Sequence, residues 1–209
     1  MSLNQWLYLL NIAVISMRES IITYIKKYSA VPLTEADIEN IKEVFVPKKI
    51  RKRQYFLQEG EVCKNAAFIV KGAMRQYTVD EKGVEHITRL FIENWWVTNR
   101  ESYATLTPSV YNIDAWEDCD VLLVKRDDFQ KLLSSIPAIN DMLLKVYENF
   151  AIAVQKRVAS LSLPAEERYA QLLKSNPEFL QRFPQHIIAS YLGVSRETLS
   201  RARSQALRK

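Results

Sequence analysis

The sequence contains few of the residues that build metal sites or disulfide frameworks. It has two cysteines and two histidines among 209 residues. The isolated Cys63 and Cys119 make neither a disulfide scaffold nor a zinc motif. The histidines, His86 and His186, lie far apart and form no ligand motif. We therefore expect no metal or other cofactor, and a reduced, cytoplasmic protein.

A long hydrophobic run is also missing. The apolar stretch at residues 6–15 is too short to span a bilayer, and no Lys or Arg precedes it as in a signal peptide. We expect no membrane partner. Residues 1–16 are either an upstream addition or a helix that packs on the rest of the chain or on a partner, and the sequence leaves both interpretations open.

Most of the excess positive charge of the chain lies near its C-terminus. The net charge is +5, and the residues after 162 include eight Lys or Arg and only four Asp or Glu. Hydrophobic residues make up 48% of the chain, which is enough for a substantial core. A soluble protein with a basic C-terminal segment is typical of nucleic-acid binding.

The region from residue 55 to residue 124 consists of short apolar stretches separated by turns. Asp80-Glu81-Lys82-Gly83, for example, lies between two alternating stretches and predicts a hairpin. Many short, evenly spaced strands indicate a β-sandwich or barrel. The basic cluster just before this region, at residues 48–53, is either a nucleic-acid patch or a solvated strand edge. Because no aromatic residue interrupts it, we favour the edge.

A long helix is predicted between Pro137 and Pro164. Apolar residues recur there at spacings of four and three, which is a heptad pattern. These residues are Ile139, Leu143, Val146, Phe150 and Ala153. Such a seam predicts either a partner helix or packing against the protein's own β domain.

Two short helices are predicted near the C-terminus. An apolar helix pattern stops at Gly193, and Ser195 is a good N-cap for the next helix. The spacing of Ala189, Gly193 and Leu199 is that of a helix-turn-helix. An ordinary pair of surface helices with a solvated basic face is the alternative.

The second of these helices has a polar, basic face. The residues expected at a DNA interface are Ser195, Arg196, Glu197, Thr198, Ser200, Arg201 and Ser204. An α-helix fits the DNA major groove, where Arg can bond guanine and Glu can accept from cytosine.

The sequence of these two helices also resembles that of a known protein family. Ser195-Arg196-Glu197-Thr198-Leu199-Ser200-Arg201 resembles the recognition helix of the Crp/Fnr family of bacterial transcription regulators. Phe183-Pro184-Gln185-His186 and the following Ile188-Ala189-Ser190-Tyr191-Leu192-Gly193 resemble the first helix of that motif. Leu57-Gln58-Glu59-Gly60-Glu61 and Phe68-Ile69-Val70-Lys71-Gly72 resemble the family's effector domain.

The resemblance implies an α+β fold in three parts. Residues 1–136 would hold N-terminal helices and a β-roll, a double-stranded β-helix like that of cyclic-nucleotide-binding proteins. Residues 137–162 would form a dimerisation helix, and residues 163–209 a winged-helix-like helix-turn-helix whose wing is lacking. The implied partners are a second copy of the chain and double-stranded DNA with an inverted repeat, and RNA polymerase is compatible with them.

The sequence departs from the family's cyclic AMP site. Thr98 and Asn99 stand where the resemblance implies Gly-Glu, and Ser109 to Tyr111 stand where a phosphate-binding Arg is expected. Arg100 could supply a cation, but it is displaced in sequence from the position of the expected Arg. The residues of this altered region are Trp95, Trp96, Thr98, Asn99, Arg100, Tyr103, Ser109 and Tyr111. They either line a pocket for an unknown small effector or fill the space of the nucleotide.

We expect a homodimeric, sequence-specific transcription regulator whose sensor domain does not bind cyclic AMP. A cupin-like enzyme is disfavoured because His86 is the single histidine of the β region, so we expect no enzyme. The remaining alternative is a small-ligand-binding β-roll with a vestigial DNA-binding domain.

Overall fold

The computed structural model describes residues 3–206, with the side chains of residue 5 and residues 14–205. The described residues form two compact units. One contains residues 3–74 and 91–148, and the other contains residues 75–90 and 149–206. The predicted division at residues 136 and 162 remains a prediction.

Helices occupy both ends of the chain and strands occupy its centre, which confirms the predicted α+β class. The helices are α1 (Leu3–Tyr28), α2 (Glu35–Val44), α3 (Arg100–Thr105), α4 (Arg126–Ser135), α5 (Pro137–Ser160), α6 (Ala165–Ser175), α7 (Pro177–Arg182), α8 (Gln185–Leu192) and α9 (Arg196–Ala206). The strands are β1 (Val46–Ile50), β2 (Tyr55–Leu57), β3 (Asn65–Lys71), β4 (Met74–Val79), β5 (Glu85–Phe91), β6 (Trp96–Val97), β7 (Asn112–Ala115) and β8 (Cys119–Lys125).

Helix α2 begins with a local capping motif. Thr34 and Asp37 form a reciprocal capping box at the start of α2. The C-terminal part of α1 buries Ile21, Ile22 and Ile25. Most side chains of the apolar run at residues 6–15 lie outside the described ones, so both interpretations of residues 1–16 stay open. Among the described residues, no helix is long and apolar enough to cross a bilayer.

The strands of the first unit pair antiparallel. One sheet has the order β1-β8-β3-β6, with Ile50 opposite Cys119 and Ala67 opposite Leu123. Strand β2 pairs with β7 across a register shift. Strand β1 is the edge of its sheet, and its Lys48 and Lys49 are exposed. The basic cluster therefore begins on a solvated strand edge, as favoured above.

The second unit contains the predicted hairpin of β4 and β5. Its turn is closed by Asp80, whose backbone N–H donates to the carbonyl of Val84 at 3.1 Å. Gly83 takes a φ of +77° in this turn, a conformation that glycine adopts without steric cost. The predicted turn residues therefore form the hairpin as expected.

Strands β3 and β8 are buried on both faces. Successive side chains of a strand point to opposite faces. Ala67 and Ile69 of β3 therefore face the interior of the roll, and Phe68 faces the other way. On that outer face Phe68 packs with side chains of α1, α2, α4 and the start of α5. This two-sided burial explains why both strands are almost continuously apolar.

The C-terminal helices of the second unit form their own core. Phe179 of α7 and Phe183 pack edge to face with ring centroids 5.8 Å apart. Helices α6 and α8 both pack against α9, which buries Leu199 and Ala202. Helix α7 was not predicted, because the two prolines around it read as breaks.

Gly72 provides a test of the packing in the first unit. It has a φ of +108°, and a Cβ there would lie 2.6 Å from Cys119 Sγ and 2.7 Å from the carbonyl oxygen of Asp118. We expect Gly72→Ala to lower the free energy of unfolding by about 1–3 kcal/mol more than Gly60→Ala. Gly60 has a φ of +86° with nothing within 4 Å, so it controls for backbone strain. Equal losses of unfolding free energy for the two variants, measured by urea unfolding, would contradict the close packing at Gly72.

Candidate nucleic-acid interface and effector region

The turn between α8 and α9 has the geometry of a helix-turn-helix. Helix α8 ends at Gly193, whose φ is +67°. The N–H of Gly193 donates to the carbonyls of Ala189 and Ser190, and that of Val194 donates to Ala189 at 3.0 Å. Such a left-handed helix end favours glycine, so the predicted role of Gly193 is confirmed.

Helix α9 begins immediately after Ser195. The Ser195 hydroxyl accepts a hydrogen bond from the N–H of Thr198 at 3.2 Å, which confirms the predicted N-cap. Glu197 follows in the first turn. Hydrogen bonding, first from its own backbone N–H, holds the pKa of the Glu197 carboxyl below its usual range. At neutral pH this side chain is therefore an ionised acceptor.

One face of α9 is buried and the other is exposed. Leu199 and Ala189 are both buried, and α8 packs against α9, as the spacing predicts. The exposed predicted residues are Ser195, Arg196, Glu197, Ser200, Arg201 and Ser204. Thr198 is half-buried and interacts with Ser195, so it lies at the border of this face. Arg203 is exposed as well and was not among the predicted residues.

Two arginines hold the C-terminal end of α8. Arg157 Nη2 donates to the carbonyl oxygen of Tyr191 at 2.9 Å, and Arg168 Nη1 donates to that of Leu192 at 2.6 Å. The last carbonyls of a helix have no partner within the helix, and the helix dipole favours cations at this end. The two arginines therefore fix the helix that precedes the turn. No sequence signal identified them.

The β4–β5 hairpin also contacts α8. The Ser190 hydroxyl accepts from the N–H of Ile87 at 2.9 Å and donates to the carbonyl oxygen of Glu85 at 3.1 Å. An open cleft of about 670 Å³ beside this contact is lined by hairpin residues, His186 and the start of α9. Burial and then the nearby Arg196 lower the pKa of His186, so its ring is held in the neutral form.

In the altered region, several polar side chains form hydrogen bonds with their neighbours. Asn99 and Ser109 are buried, and Asn99 Nδ2 donates to Ser109 Oγ at 2.7 Å. Ser109 Oγ also accepts from the N–H of Tyr111 at 3.0 Å. Thr98 Oγ1 lies 3.4 Å from the Cys63 Sγ. These four predicted positions come together, but none of them presents a cation to a phosphate.

The two tryptophans lie on opposite sides of the sheet. Trp95 packs against the interior of the roll. Trp96 packs in the helix-covered layer, with its ring centroid 5.6 Å from those of Phe68 and Phe129. The expectation that Trp96 lines an effector pocket is therefore corrected. Trp96 begins β6 and pairs with Phe68 of β3, so both side chains lie on the outer face of the sheet.

Arg100 and Tyr103 of α3 contact other elements of the first unit. The Arg100 guanidinium carbon lies 4.1 Å from the centroid of the Tyr147 ring on α5. The carbonyl oxygen of Tyr103 accepts from Arg126 Nε at 2.8 Å. Burial raises the pKa of the Tyr103 phenol well above its usual range. Arg100 is thus engaged in a cation–π contact with the long helix.

The predicted heptad seam faces the protein's own core over its first half. Ile139 is fully buried, and Leu143 and Val146 pack against the same cluster. Phe150 lies under the guanidinium of Arg89 at 4.6 Å, and Ala153 is exposed. The prediction that Ile139 is available to a partner helix is therefore wrong. The start of α5 covers the outer face of β3 and β8, which is the alternative considered above.

A second stripe along α5 is exposed and was missed. Its residues are Leu144, Tyr147, Ala151, Val154, Val158 and Leu161. They recur at the same spacings of three and four, starting one residue after Leu143. Val158 is 62% and Leu144 is 57% exposed. Contiguous exposed apolar side chains are typical of an interaction surface.

Comparisons with known proteins agree with this architecture. The cyclic nucleotide-binding domain family model matches residues 47–135. The fumarate and nitrate reduction regulatory protein of Escherichia coli is 28% identical over 183 residues, covering 81% of this chain and 72% of that protein. The structure of FixK2 from Bradyrhizobium japonicum is similar with a TM-score of 0.64 at 22% identity, covering 79% of this chain and 85% of that one. A CooA mutant from Carboxydothermus hydrogenoformans has a TM-score of 0.65 at 17% identity, covering 79% and 78%.

These findings show which proteins the chain resembles. Residues 47–135 form a β-roll of the cyclic nucleotide-binding type, followed by a helical C-terminal region. The predicted resemblance to Crp/Fnr transcription regulators is confirmed, and the sequence relative compared above is itself a regulatory protein. Within residues 3–206, no group of three or more His, Cys, Asp or Glu side chains could hold a metal ion.

Proposed function

We propose that this protein is a homodimeric transcription regulator that recognises an inverted-repeat DNA sequence and catalyses no reaction. The face of α9 carries the proposal. Helix α9 buries Leu199 and Ala202 while it exposes Arg196, Glu197 and Arg201. These side chains have the donors and the acceptor that bind guanine and cytosine edges in the major groove. The regulatory protein of Escherichia coli compared above supports the same class of function.

A second copy of the chain is the proposed partner of α5. The exposed stripe from Leu144 to Leu161 follows a heptad pattern, and such a pattern is buried when two helices wrap around each other. In such a dimer, two recognition helices related by the two-fold axis would bind successive major grooves, about 34 Å apart. The cytoplasm is the compartment where such a dimer meets DNA.

The β-roll is proposed not to respond to cyclic AMP or cyclic GMP. A buried phosphate is costly unless a cation pairs with it. At the expected positions Asn99 and Ser109 bond to each other, and Arg100 lies over Tyr147. An effector of this roll would therefore belong to another chemical class.

The DNA interface can be tested with two arginines of the same helix. Random-sequence selection with the full-length protein should recover an inverted repeat. We expect Arg201→Ala to weaken binding to that duplex by about 1–3 kcal/mol and to relax discrimination at one base pair of each half-site. The expected effect reflects loss of a bidentate base contact, and fluorescence anisotropy with single-base variants measures it.

Arg203→Ala is the matched control, because it removes the same charge from the same exposed helix. It should weaken all sequences alike and reduce the salt dependence of binding. Unchanged discrimination in Arg201→Ala would show that α9 does not read bases through this residue.

The dimer interface can be tested with two exposed apolar residues of α5. Val154 belongs to the stripe and is 43% exposed, whereas Ile152 lies off the stripe and is 49% exposed. A charge in a dry interface costs several kcal/mol. We expect Val154→Asp to convert the dimer to a monomer in light scattering and Ile152→Asp to leave it a dimer. A monomeric wild type at micromolar concentration would refute the dimer.

Calorimetry tests the proposed loss of the cyclic-nucleotide site. We expect no binding of cyclic AMP or cyclic GMP at micromolar concentrations. Each missing charge-assisted bond costs about 1.5–3 kcal/mol, and two of them weaken binding by roughly a hundredfold to ten-thousandfold. Micromolar affinity, together with a change in operator affinity, would show that another cation binds the phosphate.

A further inference from the structure

Arg157 makes two contacts with the first helix of the helix-turn-helix. Its Nη2 donates to the Tyr191 carbonyl oxygen at 2.9 Å. Its guanidinium carbon also lies 3.9 Å from the centroid of the Tyr191 ring. A planar guanidinium can donate and stack at the same time, which an ammonium cannot do. The side chain therefore constrains both the position and the orientation of the end of α8.

The location of Arg157 links this contact to the proposed dimer. Arg157 lies in the last turn of α5, next to Val158 of the exposed stripe. In the proposed dimer, the same turn of the long helix would face a second copy on one side while Arg157 contacts the helix-turn-helix on another. A contact at this point would couple the geometry of the dimer to α8 and α9.

We propose that Arg157 is a positioning residue for DNA binding, which sets the separation and rotation of the two recognition helices by fixing α8 to the dimerisation helix. The inference rests on the proposed function. A dimer gains affinity over a single module because the second half-site binds at high effective concentration. That gain is lost when the two modules are not held in the required geometry.

Arg168 is a natural comparison. It donates to the neighbouring carbonyl, that of Leu192, at 2.6 Å. However, it belongs to α6, which packs against both α8 and α9 within the C-terminal helices. Arg168 thus holds these helices together, whereas Arg157 attaches them to the long helix. The two arginines make the same type of bond and should have different effects on DNA binding.

The experiment uses the full-length dimer and three DNA duplexes. The first is the inverted repeat selected by the wild type, the second has a single half-site, and the third has one extra base pair between the half-sites. We expect Arg157→Gln to weaken binding to the inverted repeat by about tenfold to a hundredfold, as loss of a charged hydrogen bond would. Half-site binding should stay at the wild-type value, and the penalty for the extra base pair should shrink.

Two variants serve as controls. Arg168→Gln should lower the unfolding midpoint and weaken full-site and half-site binding by the same factor. Tyr191→Phe keeps the ring and the carbonyl, so it should behave like the wild type.

Two outcomes overturn the positioning role. One is an equal loss of affinity for the inverted repeat and for the single half-site in Arg157→Gln. The other is an unchanged penalty for the extra base pair. A wild type that shows no preference for the inverted repeat over the half-site would instead overturn the proposed function and this inference with it.

Discussion

The burial of β3 and β8 on both faces is the constraint on which the rest of the molecule depends. Their inner side chains close the roll, and Phe68 on the outer face needs a cover of its own. Helices α1, α2 and α4 supply part of that cover, and α5 supplies the remainder through Ala138, Ile139 and Met142. The hydrophobic effect therefore assigns one face of α5 to the roll, and only another face is free for a partner.

That assignment shapes the proposed regulator. Because Ile139, Leu143 and Val146 are used within the protomer, the stripe that contains Val154 and Val158 is left exposed. The exposed stripe continues to the last turn of α5, where Arg157 binds α8. Helix α5 thus contributes its first residues to one compact unit and its last residues to the other.

Several buried polar side chains of the effector region pair with neighbouring groups, although the buried Tyr103 hydroxyl has no hydrogen-bond partner among the described residues. Asn99 and Ser109 satisfy each other, and Ser102 accepts from the N–H of Cys63 and donates to the Thr107 carbonyl. Buried polar groups are tolerated when they are paired in this way. The bonds made by Asn99, Ser109 and Ser102 therefore need no anion as a partner.

Much of the architecture could be predicted from the sequence because it depends on local chemistry. The helix-turn-helix follows from Gly193, Ser195 and Leu199, whose backbone and capping preferences act over a few residues. The hairpin at Asp80 to Gly83 and the capping box at Thr34 are local in the same sense. A charged face on α9 was also predictable, since its periodicity is contained within one helix.

Other features depended on contacts between distant residues, and only the tertiary structure decided them. The sequence of α5 contains two stripes with the same heptad spacing, and which one is buried depends on the outer face of the β-roll. Trp95 and Trp96 are the same residue type, yet Trp95 packs against the interior of the roll and Trp96 packs in the outer layer. Arg157 donates a hydrogen bond to the carbonyl of a residue 34 positions away. The sequence alone determined where elements begin, end and turn, because those choices minimise local backbone energy. Which face each element buries was left to tertiary packing, because that choice depends on surfaces that exist only after folding.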